Sequence, residues 1–306
     1  MRGPTILHAD SMSAAIVRVL RGRPNPGAVG GVYRHAVNLA APAAPGGLVA
    51  LLGSEVDLPY GIVCSTGRSG AMTDLGVESG MAALLGDGGI SIPQAGLRIL
   101  VDGRTRIHPV GFGRVRSGPA AAVADHVRLA ATIITDRAGS SGLASLLDPR
   151  APRSPFAARA ETVLASVREA LVVSDAGRAA FEGRALVGLG VGLTPSGDDA
   201  LVGLAAVLAA IGDPAAGPIA GAWAAGAAES TTTVGAALLA HAGRLEFAGT
   251  LQGVVRAILQ GDDADVRRTV STALSWGATS GPDTLVGVFA GIEVALERSR
   301  RALAAA

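Results

Sequence analysis

The residues best suited to chemistry lie in one stretch, "ALVGLGVGLTPSGDDALVG", at positions 185–203. Gly188, Gly190 and Gly192 alternate with apolar residues, and Thr194, Ser196, Asp198 and Asp199 follow at once. Backbone N–H groups of a glycine-rich turn can surround phosphate or carboxylate oxygens. A helix starting at the serine would aim its positive end at the same ligand. Part of the string then returns: "SGDDALVG" at 196–203 reappears as "SGPDTLVG" at 280–287. Ser196, Gly197, Asp199, Leu201, Val202 and Gly203 recur as Ser280, Gly281, Asp283, Leu285, Val286 and Gly287. In each copy the serine reads as an N-cap, the aspartate complements the helix dipole, and the leucine points into a core. Gly203 and Gly287 would let a neighbouring backbone approach. Two such N-termini converging on one anion is the functional expectation; two capped helices left by a duplication is the plainer one. Extra glycines and Thr194-Pro195 in the first copy favour the former, since a simple cap needs none of them.

Composition limits the chemistry that this stretch could support. All 26 basic residues are arginine. A phosphate-loop lysine, a Schiff-base lysine and a lysine general base are therefore excluded. Cys64 is the only cysteine, and the five histidines are scattered, so neither a disulfide nor a zinc site is expected. A net charge of +1 gives no sign of a nucleic-acid partner. The chain shows no leader-like start and no apolar run of membrane-spanning length, which predicts a soluble, cytoplasmic protein.

The elements that must position the loop fall into two kinds. Up to residue 118 the chain reads as strands and turns: "GGVYRHAVNLA", "YGIVCS" and "LRILVDGRTRIH". In the last of these, Asp102-Gly103 predicts a type I′ hairpin. From Pro119 on, helical periodicity takes over at 119–135, 156–173, 198–212, 232–243, 248–260 and 283–303. With 49% hydrophobic but only 3% aromatic residues, the core must be built from Ala, Val and Leu. The fold class expected is α+β. A β-rich N-terminal domain would span 1–118, and a mainly α-helical domain, 119–306, would carry the loop and its repeat.

"GLGVGLTPSGDDALVG" resembles the G-x-G-x-T-P-S-G-D-D signature of the AllH-type subunit of oxamate carbamoyltransferase. "GATSGPDTLVG" is similar to that family's C-terminal segment, and "STTTVGAALLAHAGRLEF" to the threonine-started helix between the two. "VYRHAVNLA" and "YGIVC" fit its looser N-terminal strands. The resemblance implies transfer of a carbamoyl group between carbamoyl phosphate and oxamate, giving oxalurate and phosphate, in anaerobic allantoin catabolism. It also implies partner subunits: an FdrA-like protein and a third carbamoyltransferase subunit. Membrane and nucleic acid are not implied.

Such chemistry needs phosphate donors, a polarised carbonyl and a cation for the oxamate carboxylate. The candidates for catalysis are Asp198, Asp199 and Asp283. Those for binding small anionic substrates are Gly190, Gly192, Thr194, Ser196, Gly197, Ser280 and Gly281. Arg184 is the nearest carboxylate clamp, with Arg34 and Arg244 behind it. Asp198 and Asp199 could orient an amide –NH2 or hold Mg²⁺ through water; no other cofactor is implied. For one of them, Asp198 first, simple dipole compensation is the alternative. "STGRSG" at 65–70 is read as a coincidental phosphate-loop match, His126 and His241 as packing or surface residues and Cys64 as a small buried residue; His35 and His108 lie in strand-like segments where a base is possible but unsupported. A non-catalytic anion-binding or scaffolding subunit, or a paralogue acting on another small carboxylate or amide, is the competing function.

Overall fold

Short Val, Ile and Leu runs punctuated by glycine and proline build the first of two units, Met1–Val110. The structure is a computed structural model and describes residues 5–54, 56–65, 71–139 and 141–305. Its strands are β1 (Thr5–Ser13), β2 (Asn25–Val32), β3 (Ala36–Ala40), β4 (Leu48–Leu52), β5 (Gly61–Cys64), β6 (Ala82–Gly86), β7 (Gly89–Ile92), β8 (Leu97–Leu100) and β9 (Arg106–His108). A short helix, α1 (Val17–Arg21), follows β1. The sheet runs β5-β4-β3-β2-β6-β7-β8-β1-β9, and β1 also pairs with β5, so the sheet closes into a barrel. Closure removes the unpaired edges that an open sheet would present. In β6 the two-residue period is visible: Ala83 and Leu85 are buried while Ala82 and Leu84 face out. Met12, Leu39, Leu51, Ile62, Ile90 and Ile99 fill this core.

The hairpin expected at Asp102-Gly103 does not form. β8 and β9 do not pair with each other; both run parallel to β1, against residues 5–8 and 11–13 respectively. A type I′ turn needs positive φ at both central residues, and Gly103 does not adopt it. Instead the Asp102 carboxylate accepts from Arg104 N, and Thr105 Oγ1 accepts from Asp102 N and donates to the Ala9 carbonyl. These bonds carry the chain onward along β1 rather than back on itself. Within "STGRSG", Ser65 donates to Asp10, and residues 66–70 lie outside the described residues.

The second unit, Gly111–Ala306, is helical. Its elements are α2 (Ala120–Ala138), α3 (Pro155–Val172), α4 (Ala176–Gly183), α5 (Ser196–Ala210), α6 (Ala216–Ala224), α7 (Ala227–Ser230), α8 (Thr233–Gly243), α9 (Gly249–Gln260), α10 (Asp263–Ala273) and α11 (Ser280–Ala305). Ser154, Asp175, Thr232 and Asp262 cap α3, α4, α8 and α10 through their side chains. Residues 111–118 attach here: Gly118 N donates to the Leu259 carbonyl, and Phe112 stacks at a tilt on Phe247. At the centre is α5, buried on nearly every side, as a helix apolar all round must be.

Its principal neighbour is α11, the helix that opens with the repeated sequence. Gly203 lies against the backbone of Thr284 and Val288, Gly287 against Ala200, and Gly291 against Val207. Advancing along one helix therefore advances along the other, so the pair runs parallel with both N-termini at one end. The two glycines that recur are the positions where the backbones touch. A side chain on either would fall inside 3.0 Å of a carbonyl on the opposite helix.

Candidate functional site

The loop entering α5 is bent by three glycines in the left-handed region, Gly188 (φ 73°), Gly190 (φ 120°) and Gly192 (φ 97°). It is pinned at both ends. Gly188 N donates to Asp198 Oδ1 at 2.8 Å, and the Thr231 hydroxyl donates to Asp198 Oδ2. At the far end the Thr232 hydroxyl donates to the Leu193 carbonyl at 2.5 Å while accepting from Gly235 N as the α8 cap. The Leu189 carbonyl accepts from Gly197 N, which closes the loop onto the first turn of α5. Between the pins, the N–H groups of Gly190 to Thr194 have no hydrogen-bond partner among the described residues. Val191 and Leu193 expose apolar side chains there, Val191 to 81%.

Behind the loop, where the two helices begin together, lie two buried carboxyls. Asp199 is 4% exposed and Asp283 fully buried. Thr194 Oγ1 and Ser280 Oγ meet at 2.6 Å and join the loop to the start of α11. Burial drives Asp199 well above the usual carboxylate range, the neighbouring Asp283 raises it further, and the Ser280 and Thr194 hydroxyls offset this only in part. Asp283 is also raised by burial, against the Ser196 hydroxyl, a 2.6 Å bond from Leu143 N and the Thr279 hydroxyl. Asp198 is raised by burial too, opposed by Thr231 and Gly188. Neither Asp199 nor Asp283 is paired with an arginine among the described residues. Oδ2 of each has no hydrogen-bond partner there either. Two like charges in a dry site cannot both be carried cheaply, so the pair is driven toward holding a proton.

Several expectations change once these side chains are in place. Ser196 and Ser280 are not N-caps. Ser196 is the first residue of α5 after Pro195, its hydroxyl beside Asp283, while the Ser280 hydroxyl pairs with Thr194. Pro195 stands at the cap position of α5 and Thr279 precedes Ser280, so neither serine is the cap and each reaches across to the other helix. Asp199 and Asp283 are not solvated dipole partners, because the close approach at Gly203 and Gly287 seals them off from water. The N–H of Gly197 is taken by Leu189 O, and that of Gly281 by Trp276 O at the equivalent place. Both oxygens of Asp198 are committed to loop and turn donors. Among the described residues no group of three or more His, Cys, Asp or Glu could hold a metal ion. The Mg²⁺ reading thus has no cage here.

Thr194, Ser196, Ser280, Asp199 and Asp283 come together; Arg184 does not join them. It is exposed, and its Nε donates to the Ala222 carbonyl at 3.3 Å. Arg244 pairs with Glu246, and Arg34 belongs to the barrel unit. His241 is buried against Glu246 at 2.7 Å, and His126 is buried with Nδ1 at the Ile258 carbonyl. Cys64 is buried, and burial pushes its thiol up to about 12. Sequence inspection passed over Thr231, Thr232, Thr279 and the Leu143 N–H. The run "STTTVG" at 230–235 was the available signal for the first two. Leu143 carried none, because its part is played by a backbone group far away in the chain.

Comparison with known proteins adds one finding. Residues 186–292 match the family model described as oxamate carbamoyltransferase subunit AllH. The match spans both copies of the repeat and the threonine-started helix between them, and it bears out the resemblance carried by the TPSGDD signature. No curated protein and no solved structure matches the chain.

Proposed function

We propose that this chain is the substrate-anchoring subunit of a carbamoyltransferase acting on oxamate and carbamoyl phosphate. The family match over 186–292 supports the reaction class. The observation that supports a site in this chain is the pair of unpartnered buried carboxyl oxygens directly behind a loop of unpaired N–H groups. In the reaction the oxamate amide nitrogen attacks the carbamoyl carbon, the carbon–oxygen bond to phosphate breaks, and the nitrogen gives up a proton. Here the loop N–H groups from Gly190 to Thr194 would take phosphate or carboxylate oxygens, and Thr194, Ser196 and Ser280 would supply hydroxyl donors. Asp199 and Asp283 would orient the amide groups. Asp198 would fix the loop rather than touch substrate, and Arg184 is the weaker candidate for a carboxylate clamp. The resemblance further supports an FdrA-like partner, a third subunit and a cytoplasmic setting.

The test is oxalurate and phosphate formation by the chain alone and with its partner subunits, using the parent and Gly192→Val. The latter places a branched side chain where φ is 97°. Activity only in the reconstituted complex, with a large loss in the variant at unchanged melting temperature, is the expected result. Full activity of a complex carrying Gly192→Val would leave this chain as a scaffold.

A further inference from the structure

Asp199 and Asp283 are near enough for Asp283 to raise Asp199, and each has an unpartnered, buried Oδ2 and no compensating arginine among the described residues. An unsatisfied buried oxygen costs free energy that a well-folded chain normally avoids, so two at one place mark a position kept for a ligand. With a single proton on the pair, one oxygen offers an O–H donor and the other accepts. A carboxylate or phosphate offers acceptors only and would bring a further negative charge. A primary amide offers both a carbonyl acceptor and N–H donors on one planar group.

We propose that the Asp199–Asp283 pair is a specificity element for a neutral primary amide, donating to its carbonyl through one carboxyl and accepting its N–H through the other. This rests on the carbamoyltransferase reading and assigns the selectivity of that site: the amide end of a ligand goes to the carboxyl pair, its anionic end to the loop N–H groups. The loop borders the pair, since Gly190 sits on Ser196 and Thr194 is hydrogen-bonded to Asp199. Left-handed Gly190 and Gly192 lie between its two pins. The titratable groups that chiefly bear on Asp199 are Asp283 and Asp198.

The experiment is calorimetric binding to the full-length chain with two matched ligand pairs, oxamate against oxalate and phosphonoacetamide against phosphonoacetate. Each pair differs only in an amide replaced by a carboxylate. The amide member should bind about tenfold or more tightly in the parent, the scale of one charge-assisted hydrogen bond. Asp283→Asn keeps its carbonyl on Leu143 N and so puts an NH2 donor where the free Oδ2 acceptor stood, which should bring that ratio close to one. Asp199→Asn keeps a permanent donor, so it should retain the preference and hold it to higher pH than the parent. Equal affinity for both members of each pair in the parent would overturn the proposal. So would a ratio that neither substitution changes in variants with parental melting temperature. Failure of the transferase reading has a different signature: an intact amide preference in a complex that makes no oxalurate.

Discussion

Gly287→Ala tests whether the crossing of α5 and α11 rests on bare backbone. The new Cβ would lie less than 3.0 Å from the Ala200 carbonyl, and Ala200 C and Cα are also within 3.0 Å. Carbon prefers about 3.5–4.0 Å to a neighbouring heavy atom and the oxygen would lie at about half that distance, so the helices must part by roughly 1.5 Å. Every atom in the way is backbone, and none can swing aside. Parting them loosens the packing around Leu204, Val207, Val288 and Phe289, which are buried in the same core. Overpacking of this kind costs about 1–3 kcal/mol, offset by up to about 1 kcal/mol from replacing a helical glycine by alanine. Gly253→Ala on α9 is the matched control: its nearest foreign atom is Thr269 Cγ2 at 3.7 Å, an ordinary contact, so only the propensity gain applies. Both tryptophans, Trp223 and Trp276, are in the helical unit, so fluorescence in a urea titration follows that unit. Gly287→Ala should lower the midpoint while Gly253→Ala holds or raises it. Equal midpoints for the two variants would refute the claim that backbone contact sets the crossing.

Two further outcomes concern the loop and the pair. Thr232→Ala removes the α8 cap and the tether to Leu193 together, and should cost about 0.5–2 kcal/mol by urea titration; Thr232→Ser should restore most of it. Because Asp199 is raised in the folded state, the native chain retains a proton that the unfolded chain releases. Its contribution to stability is then fully present below the usual value of 3.8 and declines as pH rises toward the folded value. Asp199→Asn should accordingly exceed the parent in melting temperature at pH 8, and the gap should close on acidification. A gap of the same size at every pH would show that Asp199 is not raised.

Much of the scaffold was legible because it is periodic. The helical stretches read at 119–135, 156–173 and 232–243 coincide with α2, α3 and α8 to within a few residues. Missing were the short α4 and α7, α6, whose "AGPIAGAWA" places glycine and proline inside the helix, and α10, whose "DADVRRTVSTA" is too polar and short to stand out. The barrel strands of four or five residues gave weaker signals. Asp102-Gly103 misled because the dipeptide permits a hairpin without compelling one when a neighbouring strand offers a parallel edge. At the site, the repeat itself was readable in the sequence, but the depth of its aspartates was not. An aspartate in the first turn of a helix reads as a dipole partner whether it faces water or a second helix. Only the fold can distinguish the two.

The depth of those aspartates and the repeat of the glycines are one fact. Gly203 and Gly287 let α5 and α11 close to backbone contact, and closure at that distance shuts Asp199 and Asp283 in with their serines crossed between the copies. Had the carboxylates served only as caps, larger residues at 203 and 287 would have kept the helix ends apart and solvated, at less cost. The copies also part company at one informative position. Where the first has Asp198, the second has Pro282, which offers no carboxylate to a loop donor. Correspondingly, only the first copy carries a long glycine loop, and Asp198 ties its start to Thr231. The symmetric part of the repeat thus accounts for the buried pair, and its asymmetric part for the single loop in front of it. A solvent-facing loop of free N–H groups beside a buried carboxyl pair would, on the proposed reading, meet the two chemically different ends of one ligand, the anionic end at the loop and the amide end at the aspartates.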